Sequence, residues 1–191
     1  MSLDLPGFAD PVLGAQSTFR AVLEAMSRPG TVVKIGAGLT PPAPLNAASA
    51  AVLLTLIDAD TALYLPPEAG AAREWLVFHA TPRMVESMPE ADFTLALAMP
   101  DLGFLNAGTD DGPEEGATLI LQIEGIAYGE LFELSGPGLP APRRIALRGL
   151  PNDFAARWAA NHRKFPRGVD LILCAGDEIV AFPRSLNIRE A

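Results

Sequence analysis

The sequence predicts an α/β fold, a three-layer sandwich with helices on both faces of a mixed, mostly parallel sheet. Three observations carry that prediction. Helical and strand patterns alternate along the chain. The stretch 117–123, ATLILQI, is apolar almost throughout, as a strand covered on both faces is. The chain closes with VDLILCA (169–175), a tight turn at Gly176, and IVAF (179–182), an antiparallel hairpin that makes the sheet mixed.

The first helix covers 15–28, with Phe19, Val22, Leu23 and Met26 at i, i+3, i+4 and i+7 on one face. Pro29-Gly30 stops it, and a strand follows at 31–35. The segment GAGLTPPAP (36–44) is a loop. The next helix, 45–57, is apolar on nearly every face, so it is either central or covered by a partner. A strand at 61–65, a helix within 68–80 and a strand at 92–98 come next. An acidic turn, TDDGPEEG (109–116), precedes the strand at 117–123. Strands at 130–134 and 145–148 are separated by the turn Ser135-Gly-Pro-Gly138. A helix at 151–163 starts at Pro151, with Asn152 or Asp153 as its cap, and places Phe154, Trp158 and His162 on one face. Pro183 ends the terminal hairpin.

Composition narrows the function. The 191 residues make one domain, 1–191. Hydrophobic residues are 49% and charged ones 19%, which leaves apolar surface for a partner. No apolar run reaches the roughly 18 residues of a membrane span. The start MSLDLPGFADP has no secretory pattern, so a cytoplasmic protein is expected. Residues 1–135 hold 5 basic and 18 acidic residues, while 136–191 hold 9 basic and 5 acidic ones. The net charge of −9 makes nucleic acid an unsuitable partner.

Chemical motifs are few. Phosphate-binding glycine patterns are missing. His79 and His162 sit beside aromatics, where a core or interface role outweighs catalysis. Cys174 lies in an apolar strand, where burial makes a thiol inert. Asp58-x-Asp60 could ligate Mg²⁺ but more often marks a turn. The acidic loop is either solvated or a dock for a basic partner. Arg143, Arg144, Arg148 and Arg184 are the candidate anion or subunit contacts, since guanidinium forks match phosphate and phosphonate oxygens. Ion pairs with the acidic first part of the chain are their competing use. The alternative reading is a free-standing transferase-like α/β enzyme, or a small-molecule-binding domain, built on these arginines.

A set of strings then changes the reading. They are Gln16-x-x-Phe19-Arg20, Ala25-Met-Ser27-x-Pro29-Gly30, Pro44-Leu-Asn46, and Val52 through Thr61 with Asp58-x-Asp60. Further on come Leu76-x-Phe78-His79, Pro113-Glu-x-Gly-Ala-Thr-Leu-Ile-Leu-Gln122, Ser135-Gly-Pro-Gly138, Phe165-Pro-x-Gly168-x-Asp170-Leu-Ile-Leu173 and Pro183-Arg184. In order and spacing, the chain from Gln16 to Arg184 resembles the H subunit of the bacterial carbon–phosphorus lyase system. The resemblance departs at Ser185-Leu186, where relatives tend to carry two threonines. It implies the fold of the major domain of pyridoxal-phosphate-dependent transferases without their cofactor site, in agreement with only two lysines, Lys34 and Lys164. It implies a homodimer that joins the other core subunits, G, I and J. It implies an accessory or noncatalytic part in transferring an alkylphosphonate to C1 of the ATP ribose with release of adenine. ATP and Mg²⁺ are then substrates of the complex, with no cofactor in this subunit. It supplies no catalytic residue for this chain.

Overall fold

The computed structural model describes residues 5–191. Chain order is α1 (Pro11–Ser27), β1 (Val33–Lys34), α2 (Ala47–Leu56), β2 (Ala62–Tyr64), α3 (Gly70–Ala80), β3 (Arg83–Val85), β4 (Phe93–Ala96), β5 (Thr118–Gln122), β6 (Gly125–Ser135), β7 (Arg143–Arg148), α4 (Phe154–His162), β8 (Asp170–Ala175), β9 (Glu178–Phe182) and β10 (Asn187–Glu190). The main sheet has seven strands in the order β1-β9-β8-β5-β4-β2-β3. β3, β2, β4, β5 and β8 run parallel, and β9 turns back antiparallel on β8. The mixed, mostly parallel sheet is as predicted.

The alternation of side chains along each strand explains the continuous apolar runs. Leu95, Ile120, Ile172, Cys174 and Ile179 point to the layer of α1, α2 and α3. Leu119, Leu121, Leu171, Leu173, Val180 and Phe182 point to the opposite layer. That second layer is a difference from the sequence reading. It contains α4 and a separate three-stranded antiparallel sheet, β10-β6-β7, which supplies Phe132, Leu134, Ile145 and Leu147. β10 follows Pro183, where the sequence suggested the last strand had ended. Proline cannot donate to the ladder, so the chain leaves one sheet there and enters the other.

Three helices show how local chemistry sets the elements. α1 starts at Pro11, four residues before the predicted start. The Asp10 carboxylate accepts from the N–H groups of Val12 and Leu13, both at 3.0 Å, and proline occupies the first helical position. Its buried residues are Thr18, Val22 and Ala25. Phe19 and Leu23, expected beside Val22 in the core, are exposed instead. α2 is apolar all round because it is central. Ala48, Ser49, Ala50, Ala51, Val52 and Leu53 are all buried by this chain itself. α4 holds Phe154 and Trp158 in the core, and the Trp158 indole N–H donates to Leu186 O at 2.7 Å. Asp153 sits at the cap position, but its carboxylate pairs with Arg157 at 2.8 Å rather than capping a backbone N–H.

Candidate functional site

The four arginines singled out in the sequence are each occupied within the chain. Arg143, at the start of β7, donates to Thr31 Oγ1 at 2.7 Å and to Pro29 O at 3.4 Å. It ties the small sheet to the turn after α1. Arg144 faces Glu133 at 3.8 Å across the β6–β7 ladder, where Glu133 is also paired with Arg189. Arg148 pairs with Glu124 at 2.8 Å and lies 6.0 Å from the Tyr128 ring centre. Arg184 follows β9 and pairs with Asp170, at the start of β8, at 2.6 Å. Three of the four lie on β7, and their partners lie on different segments.

Arg184 is the best buried of the four. Its side chain is 12% exposed and that of Asp170 22%. The Asp170 carboxylate also accepts from the Arg184 backbone N–H at 2.7 Å. The guanidinium donates onward to Pro113 O and to Gly116 O. It therefore pins the end of the acidic loop to the sheet. Gly116 is required there, because a Cβ would meet Gly168 O and the Arg184 guanidinium. The loop is further braced by Asn106, whose side chain donates to Glu115 O and accepts from Gly108 N–H, each at 2.9 Å. Arg167 pairs with Asp110 at 3.0 Å.

In sheets of this kind ligands bind beyond the carboxyl ends of the strands, where the strand order reverses. β2 is followed in the sheet by β3 on one side and β4 by β5 on the other, so the reversal lies between β2 and β4. A crevice of about 300 Å³ opens at the end of β2, lined by Tyr64, Leu65, Pro66, Arg73 and Glu86 among others. Arg73 and Glu86 pair across it at 3.1 Å.

The carboxyl end of the central strand β5 is closed by a polar network that the sequence reading did not identify. Gln122 Oε1 accepts from Asn46 N–H and from the Ser49 hydroxyl, both at 2.6 Å. Its amide donates to Pro44 O at 2.9 Å. Asn46 caps α2 by accepting from Ser49 N–H at 2.8 Å, and its own amide donates to Cys174 O at 3.2 Å. The signal was Asn46 directly before an apolar helix, which is a cap pattern.

The remaining candidates have structural roles. His162 Nδ1 donates to Arg184 O at 3.0 Å and His79 Nε2 to Leu5 O at 3.2 Å, since a carbonyl only accepts. His79 also packs edge-on against Trp75 and Phe78. Cys174 is fully buried, and desolvation pushes its thiol pKa up, away from reactivity. Asp58 makes a turn, with its carboxylate accepting from Asp60 N–H at 3.0 Å. Among the described residues no group of three or more His, Cys, Asp or Glu could hold a metal ion, and no helix is long and apolar enough to cross a membrane.

Comparison with known proteins follows the same line. The chain is 37% identical over 186 residues to the alpha-D-ribose 1-methylphosphonate 5-triphosphate synthase subunit PhnH of Rhizobium meliloti, covering 95% of this chain and 93% of that one. It is 31% identical over 179 residues to HtxG of Stutzerimonas stutzeri, described provisionally as a C-P lyase subunit, covering 91% and 85%. Residues 6–189 match the model of the bacterial phosphonate metabolism protein PhnH, and the chain belongs to that family.

Proposed function

We propose that this chain is an accessory subunit of the complex that joins an alkylphosphonate to ATP. In that reaction a phosphonate oxygen bonds to C1 of the ribose, the bond from C1 to adenine breaks, and adenine leaves with a proton. The product is a ribose 1-alkylphosphonate 5-triphosphate. The observation that carries this reading is the end-to-end similarity to a synthase subunit, 37% over 95% of the chain. The side-chain geometry supports an accessory part. Both histidines are held on backbone carbonyls, the single thiol is buried, and Arg143 and Arg184 are hydrogen-bonded within the chain.

ATP and Mg²⁺ are then substrates of the assembled complex, which acts as a transferase in the cytoplasm. Lys34, one of the two lysines, ion-pairs loosely with Asp177 and Glu178 on the surface. We propose further that the fold is related to that of pyridoxal-phosphate transferases and lacks their cofactor site. We also propose that the chain forms a homodimer and joins the G, I and J subunits. Light scattering on the isolated chain at micromolar concentration should give twice the 20.1 kDa chain mass, and a monomer would contradict the dimer. The chain alone, given ATP, Mg²⁺ and methylphosphonate, should release no adenine. Turnover by the chain alone would replace this reading with a free-standing enzyme.

A further inference from the structure

α1 is apolar on two sides. Its inner side, Thr18, Val22 and Ala25, is buried in the core. At about 100° per residue, Val12, Leu13, Gln16, Phe19, Arg20 and Leu23 fall within a stripe roughly 120° wide on the outer side. All six are exposed. Val12 is 75% exposed, Leu13 61%, Phe19 47% and Leu23 51%. The stripe borders a groove of about 570 Å³, to which Leu13, Gln16 and Arg20 contribute from the helix and Phe8 and Ala37 from the facing segments.

Arg20 lies inside this stripe. Among the described residues it has no carboxylate within 4.0 Å, whereas Arg28 on the same helix pairs with Glu24. An unpaired guanidinium flanked by exposed Phe19 and Leu23 is suited to an interface where the partner supplies the carboxylate. Self-pairing of α1 with the α1 of a second copy does not supply one. Antiparallel self-pairing about the middle of the stripe sets Arg20 against Ala15 and Gln16, and parallel pairing sets Arg20 against Arg20. The carboxylates at the two ends of α1 are engaged, Asp10 on the N–H groups of Val12 and Leu13 and Glu24 on Arg28.

We infer that the outer face of α1 is the docking surface for a different subunit of the complex. Its occupant is an amphipathic segment that covers Phe19 and Leu23 with apolar side chains and meets Arg20 with an Asp or Glu. This rests on the reading of the chain as a subunit, and names the surface and the partner chemistry.

The test is co-expression of the full chain with the other core subunits, one of them tagged, and measurement of the chain recovered with the tag. Phe19→Asp and Arg20→Glu should each lower recovery at least about tenfold, while Arg20→Lys retains most of it. The isolated variants should keep the mass and melting temperature of the unaltered chain. If Phe19→Asp melts early, Val12→Glu at the most exposed position gives the same readout. Recovery of Phe19→Asp and Arg20→Glu at the unaltered level overturns the inference. So does a change in the oligomeric mass of the isolated variants, which would assign the face to a second copy. Failure of the unaltered chain to co-purify is a separate result, and overturns the subunit reading together with this surface.

Discussion

At Arg184 one residue connects three segments. Its side chain closes a forked pair on Asp170 and donates to the carbonyls of Pro113 and Gly116, and its backbone carbonyl accepts from His162. Arg184→Ala leaves the part-buried Asp170 carboxylate without its cation and frees the end of the acidic loop. The expected cost is about 2–3 kcal/mol in denaturant unfolding, from lost charge-assisted bonds. The far-ultraviolet spectrum should be unchanged, because no helix depends on the pair. An Arg184→Ala chain as stable as the unaltered one would show that the pair is solvated and dispensable. Thr94 is the opposite case. Its buried hydroxyl oxygen has no hydrogen-bond partner among the described residues. Thr94→Val keeps the shape and removes that group, so stability should stay level or rise by about 1 kcal/mol. A loss above 1 kcal/mol in the same unfolding assay would mean that the hydroxyl is bonded.

α2 and α1 divide the work that the sequence assigned to one helix. The surplus on 45–57 was legible, but that on α1 was not, since 15–28 read as a helix with one apolar face. α2 carries alanine at 47, 48, 50 and 51, small enough to pack closely on β5 and β8 beside α1 and α3, so its all-round apolar surface is spent inside the chain. Ala51→Leu should therefore overpack a full core and cost about 1–3 kcal/mol. Thermal unfolding measures it, and an unshifted melting temperature would place α2 at an interface with room to spare. On α1, Phe19 and Val22 share the i, i+3 spacing, yet only Val22 is buried. Periodicity reports that a face is apolar and is silent on what covers it. The strands 117–123, 169–175 and 179–182 were readable because burial on both faces makes their apolar runs continuous. β3 and β10 were not, since strands of three and four residues, Arg-Met-Val and Asn-Ile-Arg-Glu, are too short to leave a pattern. The candidate site was readable as residue types alone. The readable β8–β9 hairpin sets Asp170 beside Arg184, whereas Gln122 stands 76 positions after Asn46 and only the tertiary fold brings that pair together.

For the molecule as a whole, a central mixed sheet holds two hydrophobic layers, and several polar side chains fasten them. Gln122 and Asn46 close one strand end, Arg184 and Asp170 fasten another, and Arg143 ties the small sheet to α1. What remains free is surface, above all the outer face of α1. That distribution fits the accessory role proposed above. The most direct test is omission and restoration. Adenine release from ATP and methylphosphonate, with Mg²⁺, is measured for the other subunits alone, for this chain alone, and for both together. The account predicts no release by this chain alone, loss of most release when it is omitted, and recovery when it is added back. Release by this chain alone, or full release by the other subunits without it, would contradict it.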